Sequence, residues 1–102
     1  MRCLKLTYAA PLAEVSGRSW KDLYLKKHSR YKGVTVFRLR TTEIYAFDIE
    51  KVRFLHHRWA IVKVCPRREG STAPSLHRIY RYRTLAEARD TIGAFHDKLK
   101  FL

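Results

Sequence analysis

The side chains of this sequence that are best suited to chemistry are cations, and several of them alternate with apolar residues. The stretch YRYRTLAEARD, residues 80–90, alternates tyrosine with arginine and then reads as the start of a helix. In VTVFRLR, residues 34–40, Arg38 and Arg40 fall on one side of the alternation. A period of two is typical of a strand, whose successive side chains point to opposite faces of a sheet. Cations on such a face can hold phosphates, and guanidinium groups can bond guanine edges.

The net charge makes a polyanion the partner to consider first. The chain has 102 residues, with 22 lysines and arginines against nine acids and a formal net charge of +13. Eight, six and eight of these cations fall in residues 1–33, 34–66 and 67–102, so the charge is not confined to a tail. Such charge opposes folding by self-repulsion unless an anionic partner offsets it. We therefore expect nucleic acid, DNA ahead of RNA, or an acidic protein surface as the partner.

The hydrophobic pattern predicts one α+β domain over residues 1–102. We expect a small antiparallel sheet of three to five strands, packed on a C-terminal amphipathic helix, with a short N-terminal helix. Residues 66–75 contain glycine, serine, threonine and two prolines without periodicity, so a flexible surface loop is expected there. Strands are expected at residues 3–8, 34–40, 43–47, 51–55, 59–65 and 77–82.

The two helices are predicted from their start signals. Thr84 and Glu87 have the spacing of a capping box, in which the hydroxyl and the carboxylate satisfy free amides of the first turn. Ser19 and Asp22 have a weaker version of that pattern, which favours a short helix over residues 20–27. The C-terminal helix has an apolar stripe at spacings of three and four, formed by Leu85, Ala88, Ile92, Phe95 and Leu99.

An antiparallel sheet packed on one helix leaves its other face in water, and alternation assigns residues to the two faces. The residues expected to face the helix are Phe37, Leu39, Ala60, Val62, Val64, Tyr80 and Tyr82. The open face then carries the predicted nucleic-acid-binding residues Arg38, Arg40, Trp59, Lys63, His77, Arg81 and Arg83.

Three segments of the sequence resemble parts of a known DNA-binding domain. RYKGVTV (residues 30–36), RWAIVKV (residues 58–64) and YRYRTLAEARDTI (residues 80–92) resemble the three-stranded-sheet-plus-helix DNA-binding domain. That domain occurs in plant ethylene-response factors and, in related form, in the arm-binding domains of phage integrases. The resemblance implies major-groove binding through the sheet. At the matched positions the DNA-binding residues would be Arg38, Arg40, Trp59, Lys63 and Arg81.

An enzyme is the alternative that the histidines raise. FRLRTTEIYAFDIEKVRFL, residues 37–55, resembles the central hairpin of small basic bacterial toxins that cleave mRNA on the ribosome. Those toxins use side chains of Arg, Lys, His and Tyr around the scissile phosphate instead of a metal. The side chains that could serve here are His56, His57, His77, Tyr80 and Arg81. We expect non-catalytic binding instead, with no catalytic residues.

A third class is a small phage- or host-encoded modulator that regulates a protein, such as a DNA-processing enzyme. Its basic surface would be steered electrostatically onto an acidic groove.

The cysteines and the apolar runs indicate which cofactors and which cellular compartment to expect. Cys3 and Cys65 are too few for a disulfide framework and lack metal-ligand spacing, so we expect no metal and no cofactor. No apolar run approaches the roughly 20 residues of a membrane span, and no secretory signal is visible. A cytoplasmic protein without a membrane partner is therefore expected.

Overall fold

A five-stranded antiparallel sheet forms the centre of the protein. The computed structural model describes residues 4–9, 14–15, 18–45, 51–65, 69–70, 76–99 and 101. In chain order the elements are β1 (Leu4–Ala9), β2 (Glu14–Val15), β3 (Arg18–Ser19), α1 (Trp20–Tyr24), β4 (Leu25–Tyr31), β5 (Val34–Leu39), β6 (Glu43–Tyr45), β7 (Lys51–Arg53), β8 (Trp59–Cys65), β9 (Leu76–Tyr82) and α2 (Leu85–Phe95), followed by a 3-10 turn over His96–Lys98. The sheet has the order β1-β9-β8-β5-β4, and β2-β3 and β6-β7 form separate two-stranded pairs. The prediction of an α+β fold with a small antiparallel sheet and a C-terminal helix is confirmed.

The N-terminal helix is shorter than predicted, because the residues after Tyr24 belong to an edge strand. β4 pairs with β5 through a two-residue turn, in which Tyr31 lies opposite Val34. The turn residues Lys32 and Gly33 both have positive φ, 49° and 80°. Two successive positive φ values are typical of a type I′ turn, whose twist matches that of a hairpin. A tight hairpin therefore replaces the last turn of the predicted helix.

α2 begins as the sequence predicts. The Thr84 hydroxyl accepts a hydrogen bond from the Glu87 backbone N–H at 3.2 Å. The Glu87 carboxylate in turn accepts from the backbone N–H of Arg83, also at 3.2 Å. The first bond satisfies an amide that the first turn of a helix leaves without a partner, and the second joins the helix to the residue before its cap. The stripe is shorter than predicted, because α2 ends at Phe95 and the Phe95 side chain is exposed.

Both faces of the sheet are buried. On one face, Ala88 and Ile92 of α2 pack against a cluster that contains Val36, Ile61 and Tyr82. On the other face a second cluster joins β4, β5, β8 and β9, with Tyr24 of α1 packed against it. The members of this second cluster that are buried are Leu25, Phe37, Leu39, Ala60, Val62 and Ile79.

The predicted orientation of β5 and β8 relative to the helix is therefore wrong. Phe37, Leu39, Ala60 and Val62 lie on the face away from α2, whereas Ile61 lies against it. The register explains the error, because β8 places Ile61 opposite Tyr80 and Ala60 opposite Arg81. A shift of one residue between neighbouring strands exchanges the two faces.

Several predicted segments lie wholly or partly outside the described residues. They include Cys3, the end of the strand expected at 43–47 and most of the loop expected at 66–75. Among the helices that are described, none has the length and apolarity needed to cross a membrane.

The glycine within α2 predicts a stabilising substitution. A Cβ added at Gly93 would have the Lys32 Nζ atom as its nearest neighbour, at 3.8 Å, which is ordinary contact. We expect Gly93→Ala to raise the free energy of unfolding by about 1 kcal/mol, because alanine restricts the unfolded chain and favours the helix. Chemical denaturation of the two proteins measures this difference.

Gly33 provides the opposite control. A Cβ there would meet no described atom within 4 Å, but the backbone has a φ of 80°. We expect Gly33→Ala to lower the free energy of unfolding by roughly 1–2 kcal/mol, since L-residues are strained in that region. Equal effects of the two substitutions would contradict this account of both glycines.

Candidate nucleic-acid interface

Four strands bring their basic ends to one end of the sheet. β4 begins there, β5 ends there, β8 begins there and β9 ends there, since Leu25 lies opposite Leu39 and Trp59 lies opposite Tyr82. The backbone of Arg58 joins this end of the sheet, because the Leu39 N–H donates to its carbonyl at 2.8 Å and its own N–H donates to the Tyr82 carbonyl at 3.1 Å. Residues far apart in sequence are thus held side by side.

We call the cationic surface at this end of the sheet the basic rim. Its cations and its histidine are exposed, whereas its tryptophan is half-buried. The rim consists of Lys26, His28, Arg38, Arg40, Arg58, Trp59 and Arg83.

Trp59 organises the centre of the basic rim. The Arg38 guanidinium carbon lies 5.0 Å from the centroid of the Trp59 ring, within the range of a cation–π contact. The His28 ring meets the same indole edge-on, with 4.7 Å between centroids. Lys26 lies opposite Arg38 on the neighbouring strand. The indole therefore restricts the Arg38 side chain while leaving it exposed to solvent.

Backbone carbonyls hold two further rim arginines. The Arg40 backbone N–H donates to the Tyr24 carbonyl at 2.8 Å, and its Nε atom lies 3.4 Å from the Leu25 carbonyl oxygen. The Nη1 atom of Arg58 lies 3.4 Å from the carbonyl oxygens of Leu55 and His57. These contacts use only part of each guanidinium, which has five N–H donors.

The basic rim has five lysines and arginines and no acid among its members. One described acid, Asp22, lies near two of them, Lys26 and Arg40. Arg53 pairs with Glu43 at 3.2 Å, and neither residue belongs to the rim. Glu87, four residues after the rim residue Arg83, accepts a hydrogen bond from the Arg83 backbone N–H. The rim therefore carries an excess of positive charge that is exposed to solvent.

The predicted site residues divide into two groups. Arg38, Arg40, Trp59 and Arg83 come together in the basic rim. Lys63 lies on the α2 side of β8, four residues from Trp59 and so about 13 Å away along the strand, and its backbone bridges to Phe101.

His77 and Arg81 do not contribute to an open surface. Both lie on the face away from α2, with exposed fractions of 9% and 0%. The guanidinium carbon of Arg81 lies 3.7 Å from the centroid of the Phe54 ring. The prediction that these two side chains face solvent is wrong, because this face of the sheet is part of the core.

The candidate catalytic residues of the toxin alternative are separated by the sheet. His77 and Arg81 lie on one face, and Tyr80 packs with the cluster on the α2 face. His57 is buried and His56 is exposed. These five side chains do not converge on one open site. Among the described residues no group of His, Cys, Asp and Glu is placed to hold a metal ion.

His57 is a buried imidazole beside the rim. It is 7% exposed, and neither ring nitrogen has a hydrogen-bond partner among the described residues. Its ring meets Phe54 edge-on, with 5.9 Å between the ring centroids. Burial lowers the pKa of His57, and the positive charges of Arg83 and Arg81 lower it further. Burial and the charge of Lys21 likewise lower the pKa of His77. Both histidines therefore favour the neutral form.

Sequence reasoning missed Lys26, His28 and Arg58 as members of the rim. Lys26 falls in the helix predicted over residues 20–27 and His28 in no predicted element, although Lys32-Gly33 between two β-like runs is a hairpin signal of the kind that positive φ values require. Arg58 carries no such signal, since only the register of β8 places it at the end of the sheet.

The fold and the basic rim together define a small basic α+β protein with a doubly covered antiparallel sheet and a cationic end. No family model, no curated protein and no solved structure matches this chain.

The buried histidines predict that stability falls as the pH falls below neutrality. A histidine whose pKa is lower in the folded state than in the unfolded state, where it is about 6.5, gives the unfolded state more bound protons as the pH drops. The contribution of His57 is therefore complete above that value and is lost as the pH falls through its folded-state pKa. We expect His57→Leu to reduce the loss of unfolding free energy between neutral and mildly acidic pH, measured by denaturant titration at each pH.

His56 is the matched control for this prediction, because it is adjacent and exposed. His56→Leu should leave the pH dependence of stability close to that of the unchanged protein. An unchanged pH dependence in His57→Leu would show that His57 is not buried in its neutral form.

Proposed function

We propose that this protein binds nucleic acid without catalysis, duplex DNA ahead of RNA, through the basic rim. The observation that carries the proposal is the gathering of exposed cations from the ends of four strands at one end of the sheet. Exposed cations in one place favour a polyanion, because each phosphate that they contact releases condensed counterions.

The dimensions of the rim support a duplex. Three strand spacings separate β4 from β9 in the sheet order, which amounts to about 14 Å. The major groove of B-DNA is about 12 Å wide. Cations spread over that distance can contact phosphates on both sides of a groove, while Arg38, restricted by Trp59, presents a guanidinium fork to a base edge.

The resemblance to the three-stranded-sheet-plus-helix domain supports the proposal in part. Its three segments correspond to the β4–β5 hairpin, to β8 and to β9 with α2, and β5, β8 and β9 are neighbours in the sheet. Binding by an open sheet face is not available here, because that face is covered. The proposed contact is therefore made by the end of the sheet.

Charge removal at the rim tests the proposal. The variant Arg38→Gln, Arg58→Gln, Arg83→Gln removes three rim cations without touching a buried side chain. We expect its affinity for a short duplex to fall on the order of 100-fold at about 50 mM salt, and the slope of log K against log salt to fall by about three. Fluorescence anisotropy over a salt series measures both quantities.

The matched control removes the same charge elsewhere. Lys5, Arg89 and Lys98 are exposed and lie outside the rim, so their change to glutamine should weaken binding by less than about tenfold through the loss of overall charge. Equal losses in the two triple variants would contradict a localised interface.

The same variants distinguish a protein partner from nucleic acid. If the rim variant keeps its affinity for nucleic acid but no longer retains a partner protein from nuclease-treated lysate, the modulator alternative replaces this proposal.

A further inference from the structure

A second group of cations surrounds a cleft beside the basic rim. The cleft has a volume of about 430 Å³ and lies at the β4 edge, over the buried ring of Phe37. Four cations line it, Lys21, Lys26, Lys27 and Arg40. Two of them, Lys26 and Arg40, belong also to the rim, so the cleft continues the same positive surface onto the face away from α2.

Arg40 is held in position for a ligand in this cleft. Its backbone N–H bonds to the Tyr24 carbonyl at 2.8 Å, which joins the end of β5 to α1. Its Nε atom faces the Leu25 carbonyl at 3.4 Å. The two terminal nitrogens of the guanidinium are not used by these contacts. Two terminal guanidinium nitrogens side by side match two oxygens of one phosphate group.

The charge of the cleft exceeds what a phosphodiester needs. Its lining contains four cations and one carboxylate, Asp22, which gives a formal charge of four minus one, or +3. A phosphodiester carries a single negative charge, whereas a phosphate monoester carries about −1.5 to −2 at pH 7 and three terminal oxygens. The volume suits a compact group, since it falls in the lower part of the roughly 300–1,000 Å³ of small-ligand sites.

We propose that the cleft binds a phosphate monoester, and that this group is the terminal phosphate of a nucleic-acid strand lying on the basic rim. The second half of the proposal rests on the proposed function. A strand held by the rim would bring its end to the cleft, because the two surfaces share Lys26 and Arg40.

Short duplexes that differ only at their ends test this proposal. A duplex of about eight base pairs, roughly 27 Å long at 3.4 Å per pair, is prepared with a 5′-phosphate, with a 3′-phosphate or with hydroxyl ends. We expect one of the phosphorylated forms to bind about tenfold more tightly than the hydroxyl form, which corresponds to about 1.4 kcal/mol. Lys21→Gln with Lys27→Gln should abolish that preference while changing the affinity for the hydroxyl form by less than about threefold.

Two controls keep the result interpretable. Lys27→Gln alone changes one exposed side chain and should reduce the preference without affecting folding. Lys5→Gln with Lys98→Gln removes equal charge away from the cleft and should retain the preference in full.

The outcomes separate this proposal from the proposed function. Equal affinity for all three ends, together with weaker binding by the rim variant, would overturn the cleft proposal and leave nucleic-acid binding intact. Binding of a free nucleoside 5′-monophosphate that is lost in the Lys21 and Lys27 double variant, without binding of any duplex, would overturn the proposed function and support the monoester site alone.

Discussion

The burial of both faces of the central sheet is the constraint on which the rest of the structure depends. Ala60, Ile61 and Val62 are consecutive in β8 and are 0%, 1% and 2% exposed. Adjacent strand residues point to opposite faces, so both faces at this strand belong to the core. Charged side chains can then reach water only at the ends and edges of the sheet. The positive charge of the basic rim is thus a consequence of how the core is built.

Arg81 is an exception, because its charged side chain lies inside the core. It is fully buried beneath the Phe54 ring, at 3.7 Å from its centroid. Removing a guanidinium from water costs several kcal/mol, and a desolvated cation–π contact offsets about 2 kcal/mol of that cost. The segment between β7 and β8 that carries Phe54 also carries His57 and Arg58. The ring that covers Arg81 and the rim residue Arg58 therefore belong to one short connection.

The sequence predicted the elements better than their faces. Local signals were sufficient for α2, where Thr84 and Glu87 form the expected caps, and for β5, β8 and β9. The predicted orientation of β5 and β8 relative to α2 is wrong because it depends on the register between strands. That register pairs Ala60 with Arg81 and is not encoded in either strand alone. One signal did point to double burial, since a continuous apolar run such as Ala60–Val62 is typical of a strand covered on both sides. The burial of Arg81 carries no sequence signal, because arginine in an alternating strand normally faces water.

The same constraint explains how a chain of +13 can concentrate charge and still fold. Holding several guanidinium groups at one end of a sheet raises their mutual repulsion, and the fold offsets part of this with fixed polar contacts. Arg40 faces the Leu25 carbonyl, Arg58 lies near two further carbonyls, and Arg38 rests on the Trp59 ring. Burial also lowers the pKa of His57 and of His77, so both imidazoles favour the neutral form. Contacts to carbonyl groups and to an indole ring therefore hold these three arginines in place at the end of the sheet.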